Sequence, residues 1–320
     1  MKKTLKKIIV AGLALAMAVT SLTGCGKKSD TFTIGICQLI EHPALDAATQ
    51  GFQDALKERL GDKVVFDLQN AQGEAPNCGT IVNTFVSKNV DLILANATAP
   101  LQAAAAATTQ IPILGTSITD YATALDIDNW SGASGRNISG TCDLAPLDKQ
   151  ADIVKELFPD VTKVGLIYCS AEPNSKYQVD NMAKYLKNLG IETANYSFVD
   201  SNDISAVLNA AVADCKVLYV PTDNTAAAAT STINNIALPA GVPIVAGEAG
   251  ICSGCGVATL SISYYDIGYT TGVMAYDILV NGADISKMDI QYAPNVTKQY
   301  NKDNCDALNL TIPADYEPIQ

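Results

Sequence analysis

The middle of this chain states one pattern twice, about 125 to 130 residues apart, and that duplication constrains the fold more than any other feature. Thr33-Ile34-Gly35-Ile36-Cys37-Gln38 is followed by Glu41-His42-Pro43 and a helical run, and Lys163-Val164-Gly165-Leu166-Ile167-Tyr168 by Glu172-Pro173-Asn174 and another. Asp91-Leu92-Ile93-Leu94-Ala95-Asn96 leads through an alanine-rich helix to Ile111-Pro112-Ile113-Leu114-Gly115-Thr116. Lys216-Val217-Leu218-Tyr219-Val220 leads through another to Val242-Pro243-Ile244-Val245-Ala246-Gly247-Glu248. Apolar runs rich in Val and Ile that alternate with helices of ordinary length predict parallel sheets covered on both faces. The expected fold class is α/β, with two similar Rossmann-like lobes, parallel sheets and a multi-strand hinge. Open sheets of this kind bind ligands beyond the C-terminal ends of their strands, so two lobes imply a shared cleft.

The spacing predicts lobe-one strands near 32–37, 63–68, 91–95 and 111–115, and helices near 44–60, 75–88 and 99–109. Lobe two is expected to hold strands near 163–168, 193–198, 216–220, 243–246 and 256–261, with helices near 146–158, 175–189, 203–213 and 225–236. A helix over 265–281 returns to lobe one. Crossings are expected at 119–126, 261–264 and 292–297. Lobe one is therefore read as 32–120 plus 263–291, and lobe two as 121–262 plus 292–320. Several crossings make a hinge that closes on a ligand without disturbing either lobe.

Residues 1–24 read as a lipoprotein signal peptide. Lys2, Lys3, Lys6 and Lys7 precede an apolar stretch from Ile8 to Val19, too short for a spanning helix. Leu22-Thr23-Gly24-Cys25 is a lipobox, which makes Cys25 the expected lipidated N-terminus, and residues 25–31 a tether. The protein is then expected to be extracytoplasmic and lipid-anchored to the cell membrane. Those 24 residues carry four lysines and no acid, so the remainder holds 17 basic against 33 acidic residues, a net charge of −16. Nucleic acid and anionic membrane surfaces are excluded as partners on that balance.

Eight cysteines follow Cys25. Cys252-Ser253-Gly254-Cys255 is a CxxC whose readings are free thiols, a local disulfide, a redox pair or half a zinc site. No second CxxC exists and His42 is the only histidine, so no metal and no cofactor are expected. Cys78 and Cys305 remain open as a long-range pair.

The segments after each strand face the cleft: 38–43, 96–98 and 116–120 in lobe one, and 168–175, 222–225 and 248–250 in lobe two. They are rich in hydroxyls, amides and carboxylates and contain no lysine or arginine. A free amino acid needs a carboxylate for its ammonium, which Asp223 and Glu248 offer, against plainer roles as a helix cap and a solvated loop acid. Its carboxylate needs donors. Thr98, Thr116 and Ser117, or Asn174 and Ser175 at a helix start, supply hydroxyls and free N–H groups. Gln38, His42, Thr222, Asn224 and Tyr264 complete the candidate ligand-binding set. An enzyme is not expected. No Ser–His–Asp order and no phosphate-binding glycine loop stand out.

Glu41-His42-Pro43-Ala44-Leu45-Asp46, Glu172-Pro173-Asn174-Ser175, Val220-Pro221-Thr222-Asp223-Asn224-Thr225, and Ala258-Thr259-Leu260 with Tyr264-Tyr265-Asp266-Ile267-Gly268 resemble the ABC-transporter substrate-binding lipoproteins of the tryptophan/tyrosine-type family. The resemblance spans roughly 33–300. It implies a type I periplasmic-binding-protein fold, permease and ATPase partners, and an aromatic amino acid as ligand. Tyrosine is favoured, then tryptophan or phenylalanine, because the candidate pocket has polar partners for a phenol. A monomer is expected. Two alternatives stay open: a surface receptor or adhesion module on the same fold, and a receptor for a branched amino acid, nucleoside or sugar.

Overall fold

Runs such as Phe32–Gln38 and Lys163–Cys169 form strands because their alternation-free apolar sequence is buried on both faces, as a parallel sheet demands. A computed structural model describes residues 31–319. The expected signal peptide, lipidated Cys25 and nearly all of the tether lie outside the described residues. Among the described residues no helix is long and apolar enough to cross a membrane.

The first sheet contains Phe32–Gln38 (β1), Val64–Asn70 (β2), Leu92–Asn96 (β3), Ile113–Ile118 (β4), Ile138–Cys142 (β5) and Gln291–Tyr292 (β11). Its order is β11-β5-β4-β3-β1-β2, and every pairing is parallel. The second contains Lys163–Cys169 (β6), Glu192–Phe198 (β7), Val217–Val220 (β8), Ile244–Ala246 (β9), Ala258–Ser261 (β10), Thr297–Tyr300 (β12) and Glu317–Pro318 (β13). Its order is β13-β12-β10-β9-β8-β6-β7, parallel except where β12 runs against β10. Both lobes share one winding, with the first strand between the second and third, so the sequence repeat is also a repeat of topology. Proline at the first helical position opens corresponding helices, Pro43–Leu60 and Pro173–Asn188, where its fixed φ suits the helix start.

The returning helix Tyr264–Leu279 packs along Pro43–Leu60, and glycine sets the distance. A Cβ on Gly268 would stand 2.0 Å from the Ala48 carbonyl oxygen. Over β1, a Cβ on Gly35 would meet the Phe85 ring at 2.6 Å, so the helix Ala75–Lys88 also depends on a missing side chain for its close approach.

The first crossing does not lie at 119–126. Tyr121 and Leu125 are buried in the lobe-one core, and β5 hydrogen-bonds to β4, so the chain leaves the first sheet only after Cys142. Residues 121–142, read as the start of lobe two, belong with the first sheet. The reason is size: β5 (Ile-Ser-Gly-Thr-Cys) has little apolar bulk, and Gly140 lies so close to β4 that a Cβ would sit 2.0 Å from the Gly115 oxygen. The other two crossings, between Ser261 and Tyr264 and between Tyr292 and Thr297, fall where expected. Cys78 and Cys305 cannot pair, since Cys78 is buried in the lobe-one core and Cys305 in the lobe-two core. The Cys78 thiol instead donates to the Glu74 carbonyl oxygen at 3.8 Å, at the start of its own helix. The predicted helix over 225–236 breaks at Ala229 into Asn224–Ala228 and Thr230–Ala237.

Candidate functional site

A small cavity lies between the lobes. His42, Leu45, Ser117 and Thr119 come from lobe one. Asn174, Thr222, Asp223, Asn224, Ala227, Glu248 and Ile251 come from lobe two. Asp143 and Tyr264 complete it, one just past each of the first two crossings.

Three carboxylates line this space and no lysine or arginine does. Asp143 is 5% exposed; its Oδ2 accepts from the Tyr264 hydroxyl at 2.8 Å and its Oδ1 from the Thr119 hydroxyl at 3.1 Å. Burial pushes its carboxyl up to about 6, against the pull of those two hydrogen bonds. Glu248 is 3% exposed and caps the helix Ala249–Cys255, accepting from the Gly250 N–H at 2.5 Å and from the Ile251 N–H. Burial pushes it up to about 7, with the charge of Asp143 adding to the shift. Asp143, Glu248 and the Tyr264 hydroxyl are thus electrostatic neighbours.

Asp223 is placed differently. Its oxygens accept from the Cys169 N–H at 2.6 Å and the Ala226 N–H at 2.8 Å. It is the cap of the helix Asn224–Ala228, the plainer of its two expected roles. Burial, then the charge of Glu172, raises its carboxyl. Glu172 in turn accepts from the Asn224 and Thr225 backbone N–H groups at 3.1 and 2.9 Å, and from both side chains. These two acids hold the lobe-two rim together.

His42 and Ser117 carry the unpartnered polar atoms of the cavity. The Asn224 amide nitrogen donates to Glu172 at 2.7 Å, so the Asn224 Oδ1 faces His42 Nε2 at 3.2 Å as an acceptor. Nε2 therefore carries the proton, and Nδ1, buried without a hydrogen-bond partner, is an acceptor. Burial lowers the His42 pKa and keeps the ring neutral, outweighing Asn224, Glu172 and Asp46. The Ser117 hydroxyl is likewise buried and unpartnered. Its φ of +56° and the β4–β5 register shift between Gly115 and Ile118 form a bulge, the local device that re-aims a side chain.

The lobes touch through this site. His42 bonds Asn224 across the cleft, and the Gln178 amide donates to the Thr119 hydroxyl at 3.4 Å. Gln178 also accepts from the Thr222 N–H at 3.1 Å.

Eight candidates from the sequence meet at the cavity: His42, Ser117, Asn174, Thr222, Asp223, Asn224, Glu248 and Tyr264. Four do not. Gln38 is turned under the first helix, bonded to Asp46 and Thr49. Thr116 bonds Thr141 inside the sheet at 3.2 Å. Thr98 and Ser175 are buried at helix starts outside the lining. Asp143 stands outside the sequence candidates because it follows β5, a strand whose Ile-Ser-Gly-Thr-Cys sequence lacks an apolar run. The repeat itself carried the signal, since β5 occupies in lobe one the place of β10 in lobe two.

The ABC transporter substrate binding protein family model matches residues 33–316. The chain is 35% identical over 322 residues to a tyrosine-binding protein of Clostridioides difficile strain R20291, across 95% of this chain and 93% of that protein. It is similar to the Streptococcus pneumonia ABC domain in complex with L-Trp (TM-score 0.85, 27% identity, 90% of this chain and 100% of that one). It is also similar to the ligand-free, open structure of a Clostridium difficile substrate binding protein with adhesive properties (TM-score 0.69, 34% identity, 91% and 99%). A leucine binding protein from Thermotoga maritima shares the fold alone (TM-score 0.59, 14% identity, 78% and 83%).

Proposed function

This chain belongs to the ABC transporter substrate-binding protein family, and from that premise we propose that it captures a free aromatic amino acid between its lobes and delivers it to a permease–ATPase importer. The type I periplasmic-binding-protein fold supplies the hinge. The observation that carries the reading is the cavity's charge: three buried carboxylates and no cation, which a ligand ammonium completes. We assign the ammonium to Asp143 and Glu248, with His42 Nδ1 as a further acceptor. The ligand carboxylate goes to the Ser117 hydroxyl and to the first-turn N–H groups of Pro43–Leu60, a helix start with no side-chain cap. Leu45, Ala227 and Ile251 supply apolar surface.

Hinge closure is supported by the hydrogen bonds that join the lobes across the site. It is supported too by the better superposition on the tryptophan complex than on the open structure, despite lower sequence identity to the former. Closure excludes water and strengthens the charge pairing. We place the protein outside the cytoplasm as a monomer, anchored through lipidated Cys25. Tyrosine is the favoured ligand, supported by the 35%-identical relative.

The test is a thermal-shift screen of the unlipidated chain, residues 26–320, refolded to strip co-purified ligand, against the amino acids and representative nucleosides and sugars. At 100 times its dissociation constant a ligand adds roughly 2.7 kcal/mol. Tyrosine is expected to give the largest shift, with tryptophan and phenylalanine behind it. No response to any amino acid would overturn the reading.

A second reading, surface adhesion, is favoured by the 34%-identical protein described as having adhesive properties. It predicts saturable binding of the purified chain to host-cell surfaces, and binding no greater than that of an unrelated lipoprotein would dismiss it.

A further inference from the structure

We infer that this cavity selects its ligand by the ammonium group ahead of the carboxylate, so that aromatic monoamines, which lack the carboxylate altogether, fall within its substrate class. The inference rests on the proposed aromatic-ligand reading and sharpens it.

Asp143, Asp223 and Glu248 present carboxylate oxygens, which only accept when ionised. His42, 7% exposed, presents an unpartnered Nδ1 that the Asn224 contact makes an acceptor too. The Ser117 hydroxyl, 6% exposed, is the buried side-chain donor of the lining with no partner at all, and the Thr222 hydroxyl is already held as an acceptor by Gln178. Thr119 already donates to Asp143, and the Tyr264 hydroxyl is committed to the same acid. An ammonium, with three N–H donors and a positive charge, answers this wall at several points. A ligand carboxylate meets one hydroxyl and a helix N-terminus, and adds an anion to a space that already holds three acids. A buried charge is tolerated when paired and hydrogen-bonded. Here the protein brings the anions and the ligand must bring the cation.

Calorimetry on the refolded chain tests this with two sets of three probes: tyrosine, tyramine and 3-(4-hydroxyphenyl)propionate, then tryptophan, tryptamine and indole-3-propionate. The amine is expected to bind within about tenfold of its amino acid, the loss of about one hydrogen bond. The deaminated acid is expected to lose more than about 30-fold, as for a buried charge left unpaired. Ser117→Ala should weaken the amino acid and leave the amine unchanged, a split that general damage to the pocket would not give. A deaminated acid that binds as well as or better than the amine overturns the inference while leaving the aromatic reading standing. If tyrosine, tryptophan and all four analogues fail to bind, the aromatic reading falls and takes this inference with it.

Discussion

Replacing Asp143 with asparagine is expected to weaken binding of the aromatic amino acid by ~2–5 kcal/mol, the cost of leaving a buried charged group without its partner. The side chain keeps its size, so the cavity keeps its shape. The Thr119 hydroxyl can still donate to the remaining amide oxygen, while the Tyr264 contact is the one disturbed. Asp143 caps no helix, unlike Asp223 and Glu248, so its replacement separates ligand pairing from fold support. The ligand-free variant is expected to be at least as stable as the parent at pH 8, because an unfavourably buried charge has been removed. Glu248→Gln should show a similar loss with some helix destabilisation added, since the cap weakens. Calorimetric titration beside thermal unfolding separates the two contributions. An unchanged dissociation constant for Asp143→Asn would remove Asp143 from the site.

Ligand affinity is also expected to rise as pH goes from 5.5 to 8, with protons released on binding near neutrality. Burial holds Asp143 at about 6 and Glu248 at about 7, both above their ordinary values of 3.8 and 4.5. The folded protein therefore binds these protons more tightly than the unfolded chain does. That contribution to stability is complete below about pH 4 and is lost as pH rises through 6 and then 7, so the ligand-free form weakens toward alkaline pH. A ligand ammonium favours the charged carboxylates and draws both values down. Each unit drawn down is worth about 1.4 kcal/mol between the two protonation states. A rise in affinity of up to about tenfold per pH unit is thus expected below the value at which one of these groups titrates. Titration at pH 6.5 in two buffers of different ionisation enthalpy reads the proton release directly. Affinity that stays flat from pH 5.5 to 8 with no proton exchange would count against the assignment of the ammonium to these acids.

Much of this molecule is readable from period and punctuation. Uninterrupted Val/Ile runs such as Leu92–Asn96 announce strands buried on both faces, and Pro43 and Pro173 mark where two helices begin. The duplicated order of those signals implies two lobes and a cleft, and the strand ends named His42, Ser117, Asn174, Asn224 and Glu248 as residues facing it. These are local properties, since burial and backbone geometry act over a few neighbouring residues. Tertiary contact decided the rest. β5 is a strand because Gly140 nests against Gly115, a fit that its own five residues do not advertise. With β5 came Asp143, which joins the first crossing to Tyr264 at the second. Whether an acid is a cap or a free charge depended equally on distant donors. Asp223 is engaged by the N–H of Cys169, 54 residues away, whereas Asp143 is bonded only to hydroxyls beside the cavity. Gln38 and Thr116 turned inward because Thr49 and Thr141 offered partners within their own lobe. A side chain's residue type tells which bonds it is able to make. Which of those bonds are already made, and so which atoms remain for a ligand, follows from packing between segments far apart in the chain.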